Sequence, residues 1–404
     1  MSLFSAFDKE ELCQLYVYPS FPNVDAVNSY YRITDRDAIK MMIPGFNAGV
    51  EVGCHEYAGS MIENRTDVKF YAKESNNSPV KRIIRDAVWK CSHWYTKNLK
   101  RWLDKESPNC IFLAPGYAKF IYDVALKISK QRHIPIITYI CDDYYFFNGD
   151  NTWLGLHQHR LLQKKTKQIM EKSEMMVAIS EEIKGRYEKE FSIDCKLIMT
   201  GSNICVANKI FNKSCIEYFS YFGNMDLKRE KSLADIGRIL DDINQERNTQ
   251  YALKIYTGRI SAEAKTAFDG ISSIKLCGFL TGEAFSNTFL GSDCLVHVEA
   301  FDDVMIERVR GSISTKIADS LASGIPLLAY APCGIASMEH LKRNECAFIA
   351  HDYESLKNVI NQILDDNEKR MLISKNAIFV AKQYHVSSEN SIYLKSLVEK
   401  ALGE

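Results

Sequence analysis

The stretch SISTKIADSLASGIPLLAYAP, residues 312–332, predicts a helix followed directly by a buried strand. Ser314 and Thr315 are residue types that cap helix N-termini, and Gly324 is typical of a helix C-terminus. The run LLAYA beyond it is apolar throughout, as in a strand that is covered on both faces. Because Lys316 accompanies the free N–H groups of the first helical turn, the segment predicts a binding site for a phosphate group.

Asp319 follows about one turn after Lys316 and lies on the same predicted helix face. A cationic first turn with a nearby carboxylate suits a phosphate that has a hydroxyl beside it, which indicates a nucleotide or a sugar nucleotide. Taken alone, the two side chains are more typical of a surface salt bridge.

The composition is that of an ordinary globular protein. The 404 residues are 46% hydrophobic and 25% charged with zero net charge, which favours two domains and carries no signature of nucleic-acid binding. The twelve cysteines include no C-x-x-C pair, which argues against a zinc or redox site. No apolar run approaches the roughly 20 residues that span a bilayer, and no signal peptide is evident. We therefore expect a cytoplasmic protein without a metal site.

Strand-like and helix-like segments alternate in both halves, which predicts an α/β protein with two doubly wound parallel sheets. The predicted strands are 12–19, 38–44, 110–115, 134–141 and 174–180 in the first half, and 218–224, 251–258, 272–280, 294–301, 325–332 and 346–351 in the second. The predicted helices include 80–105, 116–132, 153–172, 229–246, 282–290, 314–323 and 354–365. We expect a first domain over 1–203, a second over 204–385, and a C-terminal helix within 386–404 that packs back on the first.

A second candidate phosphate site follows the predicted strand that ends in YFGN. Gly223 and Asn224 end the strand, and Arg229 and Lys231 open the next helix, where both are placed to reach a diphosphate. The structural alternative is a solvated first turn of a surface helix.

A third candidate turn is IKLCGFLTGEAF, in which a strand ends at Gly278 and Phe279. Backbone groups there are placed to bind the edge of a base, although a plain strand–turn–helix connection explains the segment better when it is taken alone. All three turns follow strands, so they are expected at the carboxyl edge of one sheet, where open α/β folds bind ligands.

In that order, the second half resembles the nucleotide-sugar domain of GT-B glycosyltransferases, in particular the large retaining group (family 4-like, group 1) of polysaccharide-building enzymes. The resemblance is carried by YFGNMDLKREKSL, IKLCGFLTGEAFSNTFLGSDCLVHVEAF and STKIADSLASGIPLLAYAP, with support from ICDDYYF in the first half. It implies two Rossmann-like domains facing a cleft, and metal-independent, retaining transfer of a sugar from a nucleoside-diphosphate sugar. It also implies a glycan or lipid-linked acceptor, no cofactor, a role in bacterial surface polysaccharide biosynthesis, and membrane contact that is peripheral at most.

The resemblance also assigns roles to single residues. Lys231 and Lys316 would bind the diphosphate, with Glu299 near the donor sugar as a third catalytic candidate. Asp319 stands where the family usually places a Glu that accepts hydrogen bonds from the ribose. The remaining donor-binding residues would be Gly223, Asn224, Arg229, Gly278, Phe279, Ser314 and Thr315.

The family's E-x7-E pattern is matched only in part. Glu299 and Glu307 have this spacing, but the slot of the second acid in the helix before G-x-P belongs to Asp319. Eight residues before Asp319 stands Gly311, so in strict register the first acid is missing. This departure leaves the family's acid role open.

The acceptor side is expected in the first domain. Asp142 and Asp143 end a predicted strand, where they would orient an acceptor hydroxyl or cap the next helix. The segment 12–19 looks like the family's second strand, so its first strand and Gly-rich turn are expected to be missing, with GFNAG (45–49) as a partial substitute. Activity is thus less firmly implied than the fold.

Three other functional classes are left open by the sequence. A UDP-sugar epimerase of GT-B fold would need further carboxylates and histidines around the cleft. A non-catalytic partner that binds a nucleotide sugar fits the missing acid. A single-domain, metal-dependent transferase would use the acid pair Asp142 and Asp143.

Overall fold

The structure, a computed structural model, describes residues 2–20, 22, 27–52 and 79–403. The strands of these residues are β1 (Cys13–Tyr16), β2 (Ser29–Arg32), β3 (Val50–Val52), β4 (Ile111–Leu113), β5 (Ile136–Ile140), β6 (Ser173–Ala178), β7 (Cys195–Leu197), β8 (Tyr218–Phe222), β9 (Ala252–Tyr256), β10 (Ile274–Gly278), β11 (Cys294–Val298), β12 (Leu327–Tyr330) and β13 (Phe348–Ala350).

Helices connect most of these strands. They are α1 (Asp35–Lys40), α2 (Pro79–Cys91), α3 (Lys97–Glu106), α4 (Lys119–Arg132), α5 (Trp153–Met170), α6 (Glu181–Phe191), α7 (Arg229–Arg247), α8 (Ala262–Phe268), α9 (Gly282–Leu290), α10 (Asp303–Val309), α11 (Thr315–Ser323), α12 (Ala336–Arg343), α13 (Tyr353–Asp365), α14 (Asn367–Tyr384) and α15 (Ser387–Leu402). Within the described ranges, no helix combines the length and the apolar character needed to cross a membrane.

The second half contains a six-stranded, fully parallel sheet in the order β10-β9-β8-β11-β12-β13. This is the strand order of a Rossmann fold, in which the chain winds outward from β8 in one direction and from β11 in the other. The connections of β8 and β11 therefore leave the sheet on opposite sides. A crevice opens at their carboxyl ends, and this crevice is where such folds bind ligands.

The pleat of this sheet divides its side chains between two cores. Phe219 and Tyr221 of β8 pack into one apolar cluster, whereas Phe222 packs into the cluster on the opposite face. Leu295 of β11 likewise lies opposite its neighbours Cys294 and Val296. Helices cover both faces, which explains why the strands read as continuous apolar runs.

The first half contains a four-stranded parallel sheet in the order β4-β5-β6-β7, with α4, α5 and α6 as its connections. Strand β1 is not part of it. Strand β1 instead pairs in parallel with β2, and β3 pairs with β2 antiparallel, in a separate three-stranded sheet.

Two predicted elements of the first half are wrong. Residues 38–44 do not form a strand, because Thr34 and Asp37 cap each other and start helix α1 over Asp35–Lys40. The predicted helix 80–105 is two helices, since Thr96 accepts the Leu99 N–H and starts a second helix there.

The C-terminal helix α15 packs on the first half. Leu394 and Leu397 lie in one apolar cluster with Ile137 and Val177 of the first sheet. The Ala6 N–H also donates to Ser391 Oγ at 2.7 Å. One face of the first sheet is thereby covered by the last helix.

The two chain segments that run between the halves are hydrogen-bonded to each other. The Ser202 N–H donates to the His385 carbonyl at 2.8 Å, and Ser202 forms a parallel bridge with Val386. His385 Nδ1 lies 2.8 Å from the Thr200 carbonyl, and its Nε2 lies 3.2 Å from Nε2 of His340. A carbonyl only accepts, so Nδ1 of His385 is the donor, and His340 donates through Nε2.

Candidate donor-binding site at the edge of the second sheet

The candidate site lies where β8 and β11 end. Gly223 follows β8 directly, and Glu299 follows β11 directly. Arg229 stands at the first position of α7, and Lys316 stands at the second position of α11. The Rossmann topology thus brings four residues from three separate chain segments to the same crevice.

Gly223 and Lys316 are in direct contact. Gly223 has a φ of 142°, and a Cβ at this position would overlap Nζ and Cε of Lys316. Both the backbone conformation and the contact require glycine here. The absence of a side chain at the end of β8 is therefore what allows the ammonium group to lie there.

Lys316 is a cation with little solvation. Its Nζ lies 5.1 Å from the centre of the Tyr221 ring, a cation–π contact. Burial, together with the nearby charge of Arg229, lowers the pKa of Lys316 to about 8 against the opposing effect of Glu299. The amine is therefore mostly charged at neutral pH and lacks the hydration that it would have at a surface.

Arg229 and Glu299 form a buried ion pair. The Arg229 Nε and Nη2 atoms each donate to one oxygen of the Glu299 carboxylate, both at 2.8 Å. The side chains are only 16% and 6% exposed, so water screens the pair weakly. Ser232 Oγ also donates to the Glu299 carbonyl at 2.8 Å, which holds the end of β11 against α7.

His297 is a buried side chain of this crevice that the sequence reasoning missed. It lies two residues before Glu299, and its Nε2 is 3.9 Å from Glu299 Oε1. This Nε2 has no hydrogen-bond partner among the described residues. Burial lowers the pKa of His297 to about 4, so the ring is neutral. The alternation of a strand places His297 and Glu299 on the same face, and this spacing was the available signal.

The N-terminus of α11 lies at the same edge. Ser314 is the N-cap residue, and its side chain makes no capping bond within the described helix; Thr315 follows and is exposed. The N–H groups of the first turn thus keep the anion-binding potential of a helix start. Asp319 lies one turn further on, and its Oδ1 accepts from Ser202 Oγ and the Asn203 N–H, both at 2.8 Å.

The loop from β8 to α7 has a strained backbone. Leu227 and Lys228 have φ values of 66° and 62°, which non-glycine residues rarely adopt. Lys228 also pairs with Asp302, which precedes α10, at 2.6 Å. Lys231 lies further along α7 and is exposed, whereas Arg229 is turned into the crevice.

The other predicted donor residues follow β8 and end β10. Asn224 is exposed, and its carbonyl accepts from Tyr221 Oη at 2.6 Å. Gly278 has a φ of 78°, and Phe279 is 70% exposed after it. Phe279 therefore presents an aromatic face at the carboxyl edge of the sheet.

The structure explains the missing acid at Gly311. A Cβ on Gly311 would lie 2.7 Å from Ile183 of the first half, and the Gly311 carbonyl accepts from Ser180 Oγ at 2.6 Å. No longer side chain fits there without a shift of its neighbours. Glu307, on α10, forms an ion pair with Arg310, which directly follows that helix. Among these acids it is Glu299 that pairs with Arg229 and lies near Lys316.

Asp142 and Asp143 have different surroundings. Asp142 accepts from Ser312 Oγ at 2.8 Å, and its other oxygen accepts from Tyr144 Oη at 3.0 Å. Asp143 is buried, pairs with Arg186 at 2.8 Å and accepts the Phe146 N–H. Burial raises the pKa of Asp143. Asp142 thus contacts the second half, whereas Asp143 stabilises the turn at residues 143–146 within the first half.

A cavity of about 340 Å³ lies between the two halves. The first half lines it with Tyr117, the segment 147–150 and residues of α5, and the second half lines it with α10. Within the described ranges, no group of three or more His, Cys, Asp or Glu side chains is placed to hold a metal ion.

Two Rossmann-like domains that meet at such a crevice define the GT-B fold, and comparison with solved structures confirms this predicted fold. HepE from Anabaena in complex with UDP is 14% identical over 75% of this chain and 82% of that chain, with a TM-score of 0.57. Sucrose-phosphate synthase from Thermosynechococcus elongatus is 14% identical over 79% of each chain, with a TM-score of 0.54. No protein-family model and no curated protein sequence matches this chain.

Proposed function

We propose that this protein is a glycosyltransferase that takes a sugar from a nucleoside-diphosphate sugar and transfers it, with retention and without a metal ion, to a glycan or lipid-linked acceptor. The observation that carries the proposal is the Lys316 amine, which is packed against Gly223 beside the N-terminus of α11. The fold supports it, and so does the solved structure of HepE, which is similar in fold and was determined with UDP-glucose.

The donor would occupy the crevice as follows. Its diphosphate binds Lys316 and the N–H groups of α11, with Ser314 and Thr315 as hydroxyl donors. The ion pair of Arg229 and Glu299 lies beside Lys316, and Lys231 remains a predicted contact from the exposed side of α7. Phe279 and the backbone around Gly278 bind the base.

In the transfer step, the bond between sugar C1 and the phosphate oxygen breaks while the acceptor oxygen bonds to C1 on the same face. The acceptor proton passes to the departing phosphate, and the products are the glycoside and the nucleoside diphosphate. Negative charge grows on the diphosphate, where Lys316 and the helix N–H groups stabilise it because they are fixed before the reaction starts. A role in bacterial surface polysaccharide biosynthesis is part of this proposal.

A second candidate is a protein that binds a nucleotide sugar without transferring the sugar. The observation in its favour is that Glu299 is neutralised by Arg229, while position 311 cannot carry an acid without a shift of its neighbours. Both functions predict UDP or GDP binding, and only the first predicts turnover.

The test combines calorimetry with a panel of nucleoside diphosphates and a turnover assay for their release from nucleotide sugars, each with and without EDTA. We expect micromolar binding that Lys316→Met weakens by about 1–3 kcal/mol, since a charge-assisted contact is removed. Unchanged affinity in Lys316→Met refutes the assignment of the donor site. Loss of turnover with EDTA refutes metal independence.

A further inference from the structure

The outward face of α5 combines large apolar side chains with cations. The side chains exposed on this face are Trp153, Leu156, His157, Arg160, Leu161 and Lys164. They recur at helical spacing and cover about 140° of the helix surface. The opposite side of α5 is buried at Gly155, Leu162, Thr166 and Ile169. Helix α5 thus packs one side on the protein and presents a second, partly apolar side to solvent.

Trp153 is the most exposed large hydrophobic side chain among the described residues, at 80%. Its ring stacks on the ring of His157, with centroids 5.9 Å apart and an angle of 10° between the planes. The other three tryptophans, Trp89, Trp94 and Trp102, are all buried. An indole ring has a large apolar area and one N–H donor, and it is typical of sites where a protein meets the boundary between water and lipid.

The charges of α5 are positive only, because the helix contains Arg and Lys but no Asp or Glu. Lys165 pairs with Asp123, and Lys167 pairs with Glu190, both outside the helix. Arg160 and Lys164, in contrast, form no ion pair or hydrogen bond with any residue that the structure describes. Two unpaired cations beside exposed apolar side chains suit a partner that offers both an apolar interior and negative charge.

Helix α2 packs against α5 and extends this surface. Val80 and Ile84, one turn apart near the start of α2, are each more than half exposed. Arg82 lies between them on the other side of α2, and it lines the same cavity as Gly155 on the inner side of α5. The outward sides of both helices therefore point away from that cavity. We call the surface formed by Val80, Ile84, Trp153, Leu156, Arg160, Leu161 and Lys164 the α2–α5 face.

The inner side of α5 lines the cavity between the two halves with Gly155, Gln158 and His159. An α-helix with its side chains is about 10–12 Å across. Any surface that binds the α2–α5 face is therefore separated from the cavity by about one helix diameter.

We infer that the α2–α5 face docks on the surface of a lipid bilayer that contains anionic headgroups. The apolar side chains around Trp153 enter the boundary between headgroups and acyl chains, and Arg160 and Lys164 pair with the headgroup phosphates. The inference is independent of the proposed function, because the α2–α5 face contains no residue of the donor site.

The test measures binding of the full chain to vesicles by flotation and by tryptophan fluorescence. Vesicles of phosphatidylcholine alone are compared with vesicles of phosphatidylcholine and phosphatidylglycerol in a ratio of about three to one, and we expect the mixed vesicles to bind at least about tenfold more tightly. The emission shifts to shorter wavelength on binding, because Trp153 is the exposed tryptophan. Trp153→Phe abolishes this shift and keeps most of the affinity, since the ring stays apolar.

Two double variants separate the apolar and the charged contributions. Trp153→Ser with Leu156→Ser, and Arg160→Gln with Lys164→Gln, each lower the affinity for the mixed vesicles about tenfold or more. The matched controls are Phe379→Ser and Lys265→Gln, an exposed apolar residue of α14 and an exposed lysine of α8, and neither changes vesicle binding. All variants keep the affinity for UDP, which shows that they are folded.

Equal binding to the two kinds of vesicle, an unchanged emission spectrum, or full affinity in both double variants overturns the inference. So does self-association of the chain that Trp153→Ser with Leu156→Ser abolishes, because the face would then bind a second copy. Failure of UDP to bind refutes the proposed function instead, and vesicle binding that depends on Trp153 and Arg160 still supports the docking surface. Thermal unfolding then replaces UDP affinity as the check on folding.

Discussion

Donor affinity is expected to depend on pH through Lys316. This lysine must be charged to bind a phosphate, but burial in the empty site has lowered its pKa to about 8. A bound diphosphate raises the pKa again, so binding above pH 8 requires the uptake of a proton. The charged fraction of the empty site is about nine tenths at pH 7 and about one tenth at pH 9. The affinity for UDP is thus expected to fall about tenfold over this range.

His297 and Tyr221, which lie near Lys316, do not titrate between pH 7 and pH 9. Burial lowers the pKa of His297 to about 4, and burial raises the pKa of Tyr221 far above pH 9. Calorimetry at pH 7, 8 and 9 in buffers of different ionisation enthalpy measures both the affinity and the proton uptake. We expect uptake of about half a proton at pH 8.

Lys316→Met supplies the reference for this experiment. It removes the titrating group, so any fall in affinity that remains between pH 7 and 9 belongs to the nucleotide itself. It also removes a desolvated ammonium group, so the variant is expected to unfold at or above the temperature of the unchanged protein. Lys265→Met, an exposed lysine of α8, controls for the loss of one positive charge. An equal pH dependence in the unchanged protein and in Lys316→Met would refute the reasoning.

Three further changes test the geometry. Gly223→Ala is expected to abolish UDP binding while the far-ultraviolet circular dichroism stays unchanged, since a Cβ there displaces the Lys316 amine; retained binding contradicts this. Arg229→Met is expected to cost about 3–5 kcal/mol in the free energy of unfolding, because it leaves Glu299 buried without its partner, and adding Glu299→Gln recovers part of that loss in urea titrations; equal stability of the single and double variants contradicts the pairing. Leu394→Ala is expected to cost about 2–5 kcal/mol, measured in the same way, and to leave UDP affinity unchanged, since its side chain packs on the first sheet.

The segment around α11 was predictable because its signals are local. The residues that start the helix, Ser314 and Thr315, and the residue that ends it, Gly324, are all part of the segment itself. The predicted and observed bounds of α11 therefore differ by only one residue, at the start of the helix. The same kind of signal was overlooked at 38–44. There, Thr34 and Asp37 mark a helix start, but the apolar run after them was interpreted as a strand.

The contacts of the site depend on long-range packing that sequence does not give. Arg229 and Lys231 both carry a positive charge and lie two residues apart, so helix geometry places them about 200° apart around α7. Only one of them can face the crevice, and the sequence does not indicate which; in the folded protein it is Arg229, which pairs with Glu299. Similarly, only the folded sheet brings Gly223 against Lys316.

The packing of α15 has a consequence for the order of synthesis. Residues 387–402 leave the ribosome after both sheets have been synthesised, yet they cover the face of the first sheet that Ile137 and Val177 expose. The second sheet, whose strands span 218–350, is complete before this cover is made. The apolar face of the first sheet therefore stays exposed to solvent until α15 has been synthesised. During this period aggregation competes with folding, and chaperones bind exposed apolar surface. A deletion of helix α15 is thus expected to act first on the half that is synthesised before it, because that half loses the cover of its sheet.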